Sequence, residues 1–186
     1  MAMNKQYILS YLKDVLMREP LMLWRGYSMR RGFAHCGAMV FCADGRMPHG
    51  GMFDRLKGAV SVFAASKVLH RDFRICFTSP FVLERYLEPN GYDWRLGKAG
   101  RCESICGAHP VVMYGEWGNP RRLLKRRRRE AHFYYGYDSL EYINRCCGMQ
   151  FDWGELYGEL FRPTAYLQQY IDDCKQGLGK EYVAVH

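Results

Sequence analysis

Residues 38–78 read AMVFCADGRMPHGGMFDRLKGAVSVFAASKVLHRDFRICFT. Residues 38–43, AMVFCA, form a short apolar run of the kind that makes a fully buried strand. A loop follows at 44–53, DGRMPHGGMF, with three glycines and a proline. Residues 54–70, DRLKGAVSVFAASKVLH, carry apolar side chains at helical spacing. Asp54 falls in the first turn of that helix, where a negative charge complements the dipole. Residues 73–78, FRICFT, form a second apolar run. Strand, loop, helix and strand within about 40 residues is the pattern of a βαβ unit, which sets its two strands parallel.

The pattern continues on both sides of this unit. Tyr7, Ile8, Tyr11, Leu12, Val15 and Leu16 fall at helical spacing and predict an amphipathic helix over 4–17. Residues 18–37 are arginine-rich and show little periodicity, so they read as irregular. Downstream, a short helix is expected at 81–88 and a long loop at 89–108. Strands are expected at 110–114 and 131–136, and helices at 138–146 and 153–161. A further helix, 164–175, opens after Pro163 and stops at Gly177 and Gly179. A last strand is expected at 181–185. The alternation predicts an α/β fold: a Rossmann-like, mostly parallel sheet with helices on both faces. The domain division is residues 1–37, a helix and irregular segment packing on the domain, and 38–186, the Rossmann-like domain.

A chain of 186 residues with 48% hydrophobic and 25% charged residues suits one ordinary globular domain. No uninterrupted apolar run nears the ~18 residues that a membrane span needs. The amino-terminal segment lacks the apolar core and cleavage site of a secretory signal. A cytoplasmic protein is expected, with peripheral contact to the inner membrane left open. The net charge of +8 is concentrated: residues 119–130, NPRRLLKRRRRE, hold seven basic residues and one acidic. This run reads first as a solvated loop or helix face. Anionic lipid or a polyanionic acceptor comes second, and nucleic acid third, since no recognised nucleic-acid module accompanies it. The eight cysteines read as reduced thiols, with Cys42 and Cys76 acting as small hydrophobes inside strands. Cys102, Cys106 and His109 miss the usual zinc spacing, so no metal site is expected.

The chemistry-bearing stretch is His49-Gly50-Gly51-Met52-Phe53-Asp54-Arg55, followed by Gly58. Two glycines let a backbone turn sharply and approach a ligand, and the helix beyond offers unpaired N–H groups. The pattern matches neither a dinucleotide fingerprint nor a P-loop, and Asp54 would repel an anion there. It reads as a shaped turn lining a cleft, with Gly51 expected at positive φ and intolerant of valine. Asp44, after the first strand, and Asp138, after the fourth, are candidate proton acceptors; Asp also favours turns and helix caps.

The run HGGMFDRLKGAVSVFAASKVLHRDFRI closely resembles the first βαβ unit of the fucosyltransferase-like glycosyltransferases, which carry G-G-x-G-D-R-[LI]-x-G after the first strand. Leu160-Phe161-Arg162-Pro163-Thr164 resembles the family's L-F-x-P-[ST] helix opening. Tyr182-Val183-Ala184-Val185-His186 resembles the segment that enters its H-x-R motif. The three landmarks occur in family order, and the likeness is greatest to bacterial members associated with surface-polysaccharide synthesis. Phe53 stands where the family often has a small residue.

The resemblance implies a GT-B architecture of two Rossmann-like domains, of which this chain is the N-terminal, acceptor-side one. It implies a glycan acceptor and GDP-fucose or a related nucleotide sugar as donor, with no cofactor. It places His49, Gly50, Gly51, Asp54, Arg55 and His186 at the substrate. His186 is also a catalytic candidate beside Asp44 and Asp138. The arginine of H-x-R would lie two residues beyond His186. Transfer is therefore expected only when a C-terminal domain or second subunit completes the enzyme. A non-catalytic glycan- or partner-binding module is the alternative. An α/β domain binding nucleic acid through 121–129 is the third reading.

Overall fold

The computed structural model describes residues 5–29, 37–48, 50–98, 100–113 and 120–178. Its strands are β1 (Met39–Ala43), β2 (Phe73–Phe77), β3 (Leu87–Pro89), β4 (Ala108–Met113), β5 (Glu130–Tyr135) and β6 (Phe161–Pro163). Four of them make one sheet in the order β2-β1-β5-β4, and every pairing in it is parallel. β3 and β6 form a separate antiparallel ribbon. The expected strand at 181–185 lies outside the described residues.

Alternation along the strands divides the core into two faces. Met39, Phe41, Phe73, Ile75, Phe133 and Val111 point to one face and are buried against α3 (Met52–Leu69). Leu140 and Ile143 of α4 (Leu140–Cys147) and Leu156 and Leu160 of α5 (Trp153–Leu160) join the same cluster. α6 (Ala165–Leu178) adds Leu167 at its margin. α3 lies unusually close to the sheet at one point. A Cβ on Gly58 would stand 2.1 Å from the carbonyl oxygen of Tyr135. Only a residue without a side chain lets helix and strand approach to that distance.

The opposite face buries Val40, Cys42, Cys76, Val112 and Tyr134 beneath Met22. Met22 comes from a longer helix than the sequence predicts. α1 (Lys5–Lys13) passes through a π-helical turn, Asp14–Arg18, into α2 (Glu19–Gly26). The irregular segment expected at 18–37 is therefore corrected for residues 18–26. Arg18 pairs with Asp14 across one turn, and Pro20, inside this continuous helix, directly follows the π-helical turn, where the regular bonding pattern is already interrupted. Helix thus covers the second face of the sheet as well as the first.

The helix expected at 81–88 is also corrected. Only Leu83–Arg85 forms a helical turn, and Leu87 opens the ribbon strand β3. The long segment after it is pinned by Trp94, which is buried, donates from Nε1 to the Leu160 carbonyl at 2.7 Å, and offers its own carbonyl to Ile75 N. Phe161 ends α5 in extended conformation and enters β6, so 153–161 closes one residue early as a helix. Thr164 then caps α6: its hydroxyl donates to Arg85 O and accepts from Leu167 N.

Candidate functional site

The glycine loop opens at the carboxyl end of β1 and closes on the first turn of α3. This is the edge at which open α/β sheets bind ligands. Arg55 holds the loop from inside the helix. Its Nε donates to Gly50 O at 3.2 Å, another guanidinium N–H donates to Ser79 O beyond β2, and the group lies over the Phe77 ring. Asp54 touches Lys57 at 3.8 Å, and its backbone neighbours Gly136 at the end of β5. Phe53 projects outward with 71% of its surface exposed. Gly50, Gly51, Phe53, Asp54 and Arg55 therefore share one exposed edge. His49 and His186 lie outside the described residues.

Gly51 is corrected in detail. Its φ is −59° and ψ 176°, backbone that any residue can adopt, and a Cβ there would meet nothing within 4 Å. The strain and obstruction expected of valine at this position are absent. Gly50 is tighter, since a Cβ would meet the Asp54 carboxylate at 2.2 Å, although that side chain can swing away.

The two candidate aspartates do different things. Asp44 turns away from the loop, to the α2 side of the sheet. Arg101 reaches it at 2.7 Å, the Tyr134 hydroxyl donates to it at 3.1 Å, and Arg46 N donates to its other oxygen at 3.1 Å. Burial pushes its pKa up, but the charge of Arg101 and the bond from Arg46 N outweigh that and hold it below the usual carboxylate range. Asp44 is thus a committed anion that fixes the end of β1, a poor acceptor for a substrate proton. Asp138 is exposed at the end of β5 and accepts from Leu140 N at 2.8 Å, beside the start of α4.

Beneath Asp44 the polar layer continues. Arg46 donates to Gly26 O and to Glu103, and Arg101 also meets Glu103. Farther along β5, His132 is wholly buried and its Nε2 donates to Glu130 at 2.6 Å. In the neutral ring, which burial favours, that leaves Nδ1 to accept from the Tyr27 hydroxyl. Burial is the main reason its pKa is lowered. Nothing in the sequence spacing links Asp44 to Arg101 or Tyr27 to His132, and sequence reading misses both pairs.

The basic run is a loop built into the fold. Arg122 pairs with Glu19 and donates to Val112 O. Arg127 donates to Arg122 O and Lys125 O and lies over the Phe133 ring; burial, then the charge of Arg122, pushes its pKa down to about 10. Arg129 donates to Ile105 O. Lys125, Arg126 and Arg128 are exposed. The run thus offers fewer free cations than its composition suggests. Among the described residues no group of His, Cys, Asp and Glu is placed to hold a metal ion; Cys102 is buried and Cys106 exposed.

Next to this loop His109 has its pKa pushed down to about 4, first by burial and then by Arg127, His132 and Arg129. An unfolded histidine takes up its proton near pH 6.5. The folded one waits until about pH 4. The unfolded state therefore binds more protons in that window, and stability falls as the pH drops through it. His109→Gln should remove about 3 kcal/mol of the loss seen between neutrality and the acid end of that window. Urea unfolding at several pH values checks this; parallel curves for variant and parent would refute it.

Comparison with family models, with curated proteins and with solved structures finds no match to this chain.

Proposed function

We propose that this α/β unit is the acceptor-side half of a fucosyltransferase-like glycosyltransferase of the GT-B type. Its glycan acceptor lies on the loop Gly50–Arg55, and the donor is GDP-fucose or a related GDP-sugar serving surface-polysaccharide synthesis. The observation that carries this reading is the exposed edge at the start of α3. There Arg55 braces the loop, its backbone is open at Gly51, and Phe53 stands out as a flat apolar face. A sugar ring stacks on such a face through its C–H groups, while its hydroxyls meet the polar backbone beside it. Asp138, exposed at the end of the adjacent β5, is the candidate acceptor for the hydroxyl proton. Donor-diphosphate charge is met in such enzymes by a second domain, so transfer belongs to this unit acting with that domain.

The test is saturation-transfer NMR of the chain with fucosyl-acceptor oligosaccharides, alone and with GDP-fucose. Contacts should map to Gly50–Arg55. Phe53→Ala should weaken glycan binding roughly tenfold, the scale of one aromatic contact. Binding untouched by Phe53→Ala would refute the site. Glycan binding without transfer, in a protein that also carries a donor-binding domain, would favour the non-catalytic module.

A further inference from the structure

We propose that the outer face of the helix running from Lys5 to Gly26 lies on an anionic lipid surface. Its solvent side is apolar. Leu9, Leu12, Leu16, Met17, Leu21 and Trp24 are all exposed, Leu16 by 67%, Met17 by 66% and Trp24 by 80%. Apart from the adjacent Leu16 and Met17, they recur every three to four residues and make one stripe along the helix. An ordinary surface helix has the reverse arrangement, with its apolar stripe against the core. Exposed apolar surface of this continuity marks a contact with something else. A groove lined by Pro20, Leu23, Trp24, Met29 and Ile105 prolongs it, with Arg129 also lining the groove.

The charges select the occupant. The helix has two acids, and both are drawn inward: Asp14 is buried against Arg18, and Glu19 is held by Arg122 and accepts from Val112 N. Its exposed cations, Lys13 and Arg25, remain on the outside. The basic loop is fastened to the same helix through Arg122, which also lies over the Tyr11 ring. Lys125, Arg126 and Arg128 of that loop are exposed. An apolar stripe flanked by cations, with the acids withdrawn, fits the boundary between acyl chains and anionic headgroups. A second copy meeting this face would set like charges together. Among the described residues no helix is long and apolar enough to cross a membrane, so the helix lies along the surface.

The experiment is co-sedimentation of the full chain with vesicles of phosphatidylcholine alone and of equimolar phosphatidylcholine and phosphatidylglycerol, with tryptophan emission recorded in parallel. The mixed vesicles should bind the chain and shift its emission to the blue; the neutral ones should bind it much less. Leu16→Glu with Met17→Glu should lower affinity at least tenfold. Lys13→Glu with Arg25→Glu should also cost roughly tenfold on the mixed vesicles, from two headgroup-facing cations, and leave neutral vesicles unaffected. Melting curves check that these exposed substitutions leave the fold intact. Failure to bind mixed vesicles, equal binding to both kinds, or unchanged binding by the apolar variant overturns the proposal. So does a concentration-dependent dimer, or an RNA complex, that uses this face while vesicles go unbound.

Discussion

Alanine at position 58 is expected to destabilise the protein by about 3 kcal/mol, a backbone overpacking at the upper end of the usual range. Two effects oppose each other. In mid-helix, alanine is worth up to ~1 kcal/mol more than glycine. Against it, the new methyl would lie 2.1 Å from Tyr135 O, 2.8 Å from Tyr135 C and 3.0 Å from the Phe41 ring. The first two are backbone atoms of β5, where Tyr135 is held in the ladder by Met113 of β4. No side-chain rotation relieves the clash, so α3 must lift off the sheet and loosen the Phe41 and Phe133 layer. A shift in Tm of roughly 6–12 °C follows for a chain of this size. Thermal melting of Gly58→Ala checks it, with Gly51→Ala as the control that meets no neighbour. Equal melting of Gly58→Ala and parent would mean that the helix stands farther from β5 than described.

Arg101→Met should cost about 3–5 kcal/mol, the price of leaving one member of a buried ion pair behind. Arg101 is only 8% exposed at its side chain, and Asp44 6%. Without the guanidinium, Asp44 keeps the Tyr134 and Arg46 N–H bonds and the Arg46 guanidinium at 3.5 Å, but loses its nearest counter-charge. The pH dependence carries the sign. In the parent, the carboxyl of Asp44 is held below its ordinary value. Its contribution is therefore complete above the unfolded pKa, near 3.9, and is lost as the pH falls through the lower folded value. In Arg101→Met the largest charge holding that carboxyl down is gone while Arg46 stays beside it, so the carboxyl rises from its parent value and the variant's deficit should shrink as acid protonates Asp44. The double variant Arg101→Met with Asp44→Asn should recover most of the loss, because two neutral groups carry no unpaired charge. Denaturant titrations of the three variants measure this; additive losses would refute a paired role.

The local elements were the legible part of the fold. Residues 39–43 and 73–77 bury nearly every side chain, and 52–69 is buried without a break from Gly58 to Ser66, so apolar runs and helical spacing located them to within one or two residues. Strand order was not legible, because β1 chooses β5 as its second neighbour through shape and long-range packing that periodicity does not encode. The helix from 18 to 26 is hidden from sequence reading because its outer side is apolar, with Leu21 and Trp24 exposed, while its inner side holds Glu19 beside Met22, which blurs the expected pattern. At the candidate site, the placement of Gly50, Asp54 and Arg55 at the start of α3 could be read from the βαβ pattern. The division of labour between glycines could not: Gly51 is unconstrained, while Gly58 is fixed by an atom of a strand far along the chain. The bond from Tyr134 to Asp44 spans 90 residues, and loop arginines such as Arg101 carry no periodic signal to announce such a partner.

The position of β5 has a consequence for how the protein is made. β1 is synthesised early and finds β2 soon afterwards, but its other edge pairs with Ala131, His132 and Phe133. Until those residues leave the ribosome, the nascent chain presents a hydrophobic strand with unpaired backbone groups, the kind of edge that recruits other chains. Closing the sheet then demands a long-range loop closure, which slows folding relative to proteins built from local contacts. The nascent chain is therefore most exposed to aggregation between the emergence of β2 and that of β5 from the ribosome. In that interval, holding by a chaperone or a pause in translation has its greatest effect on yield.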